Sequence, residues 1–265
     1  MKIIDINETN KHLYFVCLED WSDEMKEAGN HKECWYNTMK NKGLHVKFAV
    51  DDKDTIGGMI QYLPIEESFA EGKNMYVIYC IWVHGYKKGR GNFRKQGMGK
   101  ALLKAAEEDV KSLGADAIVA WGLSIPVWMK AKWFKKQGYK KIDKNSVQVL
   151  LWKPFNESAA PPKWIKRTKE PLVTPNPGKL SITAFKTGWC PAQNIVYERT
   201  KRACAEYGDK IAWKEYDTQD RENLIKFGLS DSIFIENKLL RSGPPPSFEK
   251  IQKEIKKAIK KISQK

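Results

Sequence analysis

No stretch of the 265 residues approaches the roughly 20 consecutive apolar positions that span a bilayer. The opening MKIIDINETNKHLYF also lacks the basic start, apolar run and small-residue cleavage site of a secretory leader. No membrane partner is expected. Cysteine is sparse and scattered: Cys17, Cys34, Cys80, Cys190 and Cys204 form no close pairs, which argues against a zinc ribbon and a secreted disulfide scaffold. The four histidines, His12, His31, His45 and His84, show no HExxH or other ligand spacing, so no metal site is expected. A reducing, cytoplasmic compartment fits this composition best.

Basic residues outnumber acidic ones by 47 to 32, for a formal net charge of +15. Most of the excess is lysine on helix faces that also carry carboxylates, which reads as a solvated surface. Charge alone gives a general attraction for polyanions. Without a recognised binding motif it does not imply a nucleic-acid partner, and none is expected. One cluster is local: Lys87, Lys88, Arg90, Arg94, Lys95 and Lys100 fall in a stretch free of acidic residues.

The length suits two domains. Residues 156–179 hold Pro161, Pro162, Pro171, Pro175 and Pro177 without sustained periodicity, and read as a linker between domains at 1–155 and 180–265. A cut near Pro171 is therefore expected to release two independently folding pieces. The first half reads as an α/β unit. Lys2–Ile6 suggests a strand, and 10–20 and 25–42 suggest helices. His45–Val50 and Thr55–Leu63 suggest a hairpin around DDKD. The near-unbroken apolar run Met75–Val83 fits a central strand covered on both faces. A helix over Met98–Leu113, a strand at Ala117–Trp121, a helix near 127–137 and a strand from Val147 complete the pattern.

The chemistry-bearing stretch is Arg94-Lys95-Gln96-Gly97-Met98-Gly99-Lys100, between the central strand and the amphipathic helix. Glycines there let backbone approach a ligand. The helix start supplies unpaired N–H groups and a positive dipole end, and the cations add attraction. Together these describe a pyrophosphate cradle. A phosphate-binding GxxxxGK[ST] loop is excluded because Ala101 follows Lys100, and a dinucleotide GxGxxG is excluded by Leu102.

Arg94, Gly97 and Gly99 match the pattern [RQ]-x-x-G-x-[GA], after a strand ending Ile81-Trp82-Val83 and before a helix ending WFKKQGY at Trp133–Tyr139. In these features residues 1–155 resemble the GNAT superfamily of N-acetyltransferases. The resemblance implies the GNAT fold, a mixed central sheet with helices on both faces. It implies acetyl-CoA as co-substrate, with pyrophosphate on backbone N–H groups of Gln96, Gly97, Met98, Gly99 and Lys100. It also implies a pantetheine arm beside Ile81, Trp82 and Val83, and direct attack by a small-molecule or peptide amine. A homodimer is compatible with this reading.

Three departures from the family pattern bear on the chemistry. Ten residues, HGYKKGRGNF, separate Val83 from Arg94, which reads as an extended basic loop over the cofactor or acceptor entrance. Phe134 stands where many relatives place a tyrosine acid. The strand has no counterpart to the usual glutamate base. The acid–base pair stays open, with His84, Tyr79, Tyr76, Glu66 and Glu67 as candidates. A catalytically silent acyl-CoA sensor or a thiol-containing binding protein is the alternative. Trp82, Trp121, Trp128 and Trp133 suggest an aromatic-lined pocket or core packing.

After the linker, the order β-α-β-α-β-β-α, with Trp189-Cys190-Pro191 at the first helix, resembles a smaller thioredoxin-like domain. A helix start should favour the Cys190 thiolate, and the other cysteines are expected beneath apolar neighbours. Gln193 replaces the second cysteine of a CxxC pair, and Asp231 stands near the place of the usual proline before the third strand. A non-redox docking module is the favoured reading. The tandem resembles bacterial YoaP-like acetyltransferases.

Overall fold

The first strand, β1 (Lys2–Asp5), is followed by three short helices, α1 (Lys11–Phe15), α2 (Asp23–Lys26) and α3 (His31–Met39). The two longer helices expected over 10–20 and 25–42 are broken. Cys17 and Leu18 take positive φ angles of 50° and 63°, and Gly29 takes +62°. Left-handed backbone cannot continue a right-handed helix, so α1 ends there and α2 is separated from α3. Leu18 is fully buried, which anchors its turn.

The strand signals translate more directly. β2 (His45–Val50) and β3 (Ile56–Pro64) form the expected hairpin, pinned by Asp51, whose Oδ1 accepts the N–H groups of Lys53 at 2.9 Å and Thr55 at 2.8 Å. The short β4 (Ala70–Glu71) precedes β5 (Met75–Val83). Helix α4 (Met98–Ser112) buries Met98, Leu102, Leu103, Ala106 and Val110. At roughly 1.5–3 kcal/mol for each large apolar side chain, this stripe fixes the helix on the sheet. It leads into β6 (Ala117–Leu123), which runs parallel to β5.

Helix α5 (Ala131–Lys136) starts later than expected, because Met129 has φ 50° and Lys130 is extended. β7 (Lys140–Asn145) was not expected from the sequence. Its KKIDKN carries one apolar residue, and such charged strands protect sheet edges. β8 (Gln148–Pro154) lies between β7 and β6, and β9 (Lys163–Trp164) pairs with β4. The result is a mixed seven-stranded sheet in the order β1-β2-β3-β5-β6-β8-β7, antiparallel except at β5–β6.

The chain then forms β10 (Leu180–Lys186), α6 (Pro191–Ala205), β11 (Ile211–Asp217), α7 (Arg221–Phe227), β12 (Ser232–Ile235), β13 (Lys238–Leu239) and α8 (Phe248–Ile262). This second sheet has the order β11-β10-β12-β13, with β10 parallel to β11 and antiparallel to β12. Ile182, Ala184, Val196, Ala203, Ile251 and Ile255 form its core, so the apolar stripe of the lysine-rich α8 is packed. Asp220 caps α7 by accepting the Glu222 N–H at 2.9 Å. Gly228 ends that helix at φ +61°, where a Cβ would lie 2.3 Å from the Lys166 carbonyl oxygen.

This computed structural model describes residues 1–168, 176–240 and 243–262. Pro171 and Pro175 of the expected linker lie outside them. The chain divides into two compact units, Met1–Trp21 with Asn37–Ile165, and Ser22–Tyr36 with Lys166–Lys265. The boundaries differ from a simple split at 156–179. Pro162 and Ile165 are buried, and the β4–β9 pairing holds the front of the expected linker within the first unit. Residues 22–36 belong to the second. There the buried Arg199 guanidinium donates to Glu27 at 2.7 and 3.2 Å, to Glu24 at 3.0 Å and to the Pro246 carbonyl at 2.8 Å. Arg202 also reaches Glu27, and His31 Nε2 lies 2.6 Å from Glu198. The Arg199 guanidinium, helped by Arg202, holds the Glu27 carboxyl below its usual range against an opposing effect of burial. Among the described residues no helix is long and apolar enough to cross a membrane.

Cleavage near Pro171 is therefore expected to leave two pieces that stay associated, because 22–36 remain on the first piece while their partners are on the second. Size-exclusion chromatography of the nicked chain should give one peak at neutral pH. Arg199→Ala should promote separation and lower unfolding free energy by about 2 kcal/mol, less than a fully buried pair because Glu24 and Glu27 keep access to water. Two peaks from the nicked wild-type chain would refute the shared unit.

Candidate active site

The site begins with one extra residue in β5. Cys80 pairs with Gln61, but Ile78 pairs with Tyr62, so Tyr79 is bulged out of the β3–β5 ladder. A bulge bends its strand and increases twist. On the other side, the β5–β6 ladder runs only from Met75↔Ala117 to Ile78↔Ala120. Beyond it β5 continues to Val83 along β3, and β6 to Leu123 along β8. The two parallel strands part there. At the fork the Trp121 indole N–H donates to the Tyr79 carbonyl at 2.9 Å, closing the apex. Past it the β5 edge through Ile81 and Val83 has no strand partner on that side among the described residues.

The ten-residue insertion leaves and re-enters the sheet end at one place. His84 donates its backbone N–H to Gly57 and accepts from Phe93, both at 2.9 Å, and Gly85 bridges to Asn92. The His84 ring is wholly buried. Its Nε2 lies 2.9 Å from Trp21 Nε1 and its Nδ1 lies 2.6 Å from the Gly91 carbonyl. An indole N–H can only donate and a carbonyl can only accept, so Nε2 is the acceptor and Nδ1 carries the proton. Arg90 adds a fork to Asp20 at 2.9 and 3.1 Å. Gly89 is required, since φ is +69° and a Cβ would lie 1.9 Å from the Trp21 ring. The insertion is thus a pinned excursion, with Lys87 and Lys88 exposed on it.

Returning through Phe93, the chain makes the glycine turn. Asn92 accepts the Arg94 N–H on Oδ1 at 3.1 Å, and its carbonyl accepts the Gln96 side-chain amide at 2.7 Å. Lys95 and Gly97 take positive φ angles of 64° and 89°. The fifteen-residue α4 starts at once, with no side-chain cap, and its first internal bond is Ala101 N–H to Gly97 at 3.1 Å. Unpaired N–H groups at the head of a long helix form an anion site. A Cβ on Gly99 would lie 3.5 Å from Trp133 and 3.8 Å from Val83, ordinary contacts, so this glycine keeps space open rather than permitting the fold.

Between the open β5 edge and this helix start lies a cavity of about 730 Å³. Of the residues expected around the cofactor, Ile81, Trp82, Val83, Arg94, Lys95, Gly97, Met98, Gly99 and Lys100 line it. Gln96 does not, because its side chain turns to Asn92. The opposite wall is Pro126–Lys130 with Trp133 and Phe134, and sequence reading missed the turn at Pro126, Val127 and Met129. Its signal was Gly122: a Cβ there would lie 2.7 Å from the Met129 carbonyl, so only glycine lets the turn close on β6.

The open candidates for acid and base are placed elsewhere. His84 has both nitrogens engaged and does not line the cavity. Tyr79 is buried against Phe69, its ring 4.8 Å away, and contributes through its carbonyl. Glu66 is exposed and accepts the Asn74 N–H at 3.2 Å, and Glu67 pairs with Lys42 at 2.9 Å. Tyr76 packs by Tyr62 and His45, and burial, with Asp109 nearby, raises its phenol pKa. Phe134 is fully buried and has no proton to give. No group of three or more metal-ligating side chains occurs among the described residues.

A parted pair of parallel strands thus lies beside an uncapped, glycine-preceded helix. The Acetyltransferase (GNAT) family profile matches residues 6–139, half of the chain. The chain belongs to the GNAT acetyltransferase family. Its fold is similar to a GNAT acetyltransferase from Staphylococcus aureus at 19% identity, covering 58% of this chain and 99% of that one, with a TM-score of 0.43. A Bacillus subtilis acetyltransferase in complex with CoA is 21% identical over 58% of this chain and 99% of its own, with a TM-score of 0.39. PaiA N-acetyltransferase from Thermoplasma acidophilum, in complex with coenzyme A, is 19% identical over 58% and 100%, with a TM-score of 0.42. No curated protein matches the sequence.

In this GNAT protein the ring of His84 is a structural peg. His84→Ala should cost about 1–3 kcal/mol in chemical denaturation, because Trp21 and Gly91 lose their partner. Acetyl-CoA affinity should stay within about twofold. An acetyl-transfer pH profile that loses a limb in this variant would instead make His84 the base.

Proposed function

We propose that the chain is an acetyl-CoA-dependent N-acetyltransferase acting by direct attack of an amine on the thioester. The observation that carries this reading is the continuous cavity from the uncapped α4 start to the unpaired edge of β5. Backbone N–H groups of Met98, Gly99 and Lys100 would hold the pyrophosphate, with Arg94, Lys95 and Lys100 adding attraction. The backbone edge at Ile81, Trp82 and Val83 would hold the pantetheine arm, and an N–H there would polarise the thioester carbonyl. Acetyl-CoA supplies the activated acyl group. The nitrogen lone pair forms the new bond to the carbonyl carbon, the carbon–sulfur bond breaks, and the nitrogen's proton balances the departing thiolate. A small molecule or peptide would supply the amine.

Phe134 favours a second reading, a catalytically silent acyl-CoA sensor, because no tyrosine is found among the described residues lining the cavity. Screening an amine library for coenzyme A release separates the two. For either reading, Gly97→Asp should weaken acetyl-CoA binding at least tenfold by calorimetry, since a carboxylate would face the pyrophosphate. Unchanged affinity in a variant shown by circular dichroism to be folded would move the site elsewhere.

For the second unit we propose a thioredoxin-like, YoaP-like docking module without dithiol chemistry. Support comes from the β-α-β-α-β-β-α order and from the central β10 between a parallel and an antiparallel neighbour. Cys190 is the half-buried N-cap residue of α6, with Pro191 next, and Gln193 stands where a second thiol would be needed. Asp231 accepts the Thr187 N–H at 3.0 Å, and burial pushes its carboxyl up to about 6. Cys204 is a core residue whose thiol burial pushes up to about 12. Cys34, expected beneath apolar neighbours, is exposed. Alkylation at mildly acidic pH should therefore label Cys190 well before Cys204, with Cys34 labelled by exposure alone. Equal rates for Cys190 and Cys204 by mass spectrometry would count against the proposed placement. Cys190→Ser should leave acetyl transfer unchanged.

A further inference from the structure

We infer that the acceptor is a weakly basic amine on an apolar, aromatic body, one that is unprotonated at neutral pH without help from the protein. This rests on the transferase reading above and narrows its substrate class. With the glycine turn assigned to pyrophosphate, the remaining cavity wall is Trp82, Pro126, Val127, Trp128, Lys130 and Phe134. Among the described residues lining the cavity there is no carboxylate, histidine or tyrosine. The polar side-chain atoms of that wall are the indole N–H groups and the Lys130 ammonium, all donors. The Trp82 N–H is buried with no hydrogen-bond partner among the described residues. None of these groups can take a proton from an ammonium ion.

Two proton acceptors outside the wall are engaged. The single lone pair of the neutral His84 ring accepts from Trp21, and Asp20 is held by Arg90. With Arg94, Lys95 and Lys100 given to the pyrophosphate, the one charged group left on the acceptor wall is the Lys130 cation, which does not favour a charged amine. A tryptophan face can attract an ammonium ion. Held that way, the nitrogen has no lone pair to offer and no neighbour to deprotonate it. An alkyl amine with a pKa of about 10.4 is unprotonated in only about one molecule in 2,500 at pH 7. An α-amino group at about 7.7–8.0 is free in roughly a tenth. An arylamine is free almost entirely, and its ring suits the tryptophan wall.

The test compares p-toluidine, the α-amino group of a dipeptide and the side chain of Nα-blocked lysine as acceptors. Each is followed by coenzyme A release from pH 6.5 to 9, alongside calorimetry of acetyl-CoA binding. The pH dependence of kcat/KM should track each acceptor's own ionisation. It should be flat for p-toluidine, rise and level near pH 8 for the dipeptide, and rise about tenfold per pH unit for lysine. At pH 7 p-toluidine should exceed lysine by at least a hundredfold. Independently of turnover, N-(4-methylphenyl)acetamide should quench tryptophan fluorescence saturably, and spermidine should not. A lysine profile that is flat or levels below pH 8 would show an enzyme base and overturn this inference alone. So would saturable spermidine binding. Failure to bind acetyl-CoA, or binding without coenzyme A release from any of the three amines, would overturn the transferase reading as well.

Discussion

The hydrogen bond from the Trp121 indole to the Tyr79 carbonyl sits where two parallel strands stop being a sheet. A buried carbonyl released from a ladder needs a donor, and this one is supplied by the neighbouring strand. The bulge at Tyr79 frees the carbonyl and bends β5 in the same step. Everything downstream follows from that fork. The β5 edge can face a ligand only because β6 has left it. The turn at Pro126–Lys130 can form the opposite wall because β6, directed away, carries Gly122 where that turn closes.

The chemistry of the cavity is set by polarity more than by any reactive side chain. Its helix-start end offers donors and cations, which suits phosphate. Its other wall offers apolar rings and further donors. Among the described residues lining it there is no carboxylate, histidine or tyrosine. The three classes of proton acceptor that the strand and its flanks do contain are spent on structure: His84 on the insertion, Glu67 on Lys42, and Asp20 on Arg90.

Much of this was legible in the chain. Elements with strong periodicity, such as β2, β5 and α4, appear within a residue or two of expectation, because each buries a face that its sequence advertises. The glycine turn was legible because only glycine at 97 tolerates φ +89° before an uncapped helix. What failed were features decided by long-range partners. Charged β7 is a strand only because β8 offers it an edge. The breaks at Leu18 and Gly29 are set by left-handed backbone, and Leu18 gives no warning of it. His84 looked available because its two partners, Trp21 and Gly91, are 63 and 7 residues away in the sequence. The Gly91 contact was local and still hidden, since a loop of ten residues without periodicity encodes no direction for its side chains.

Residues 22–36 raise a matter of timing. They are synthesised well before the rest of their compact unit, which resumes at Lys166, about 130 residues later. At roughly 5–20 residues per second, that segment waits about 7–26 s before its partners exist. During that interval Glu24 and Glu27 have no Arg199 guanidinium to meet. Nascent protein of this design cannot finish folding residues 22–36 until the chain beyond Lys166 is made. Codon usage or chaperone supply that lengthens the wait would lower the yield of native chain without touching a single residue of the cavity.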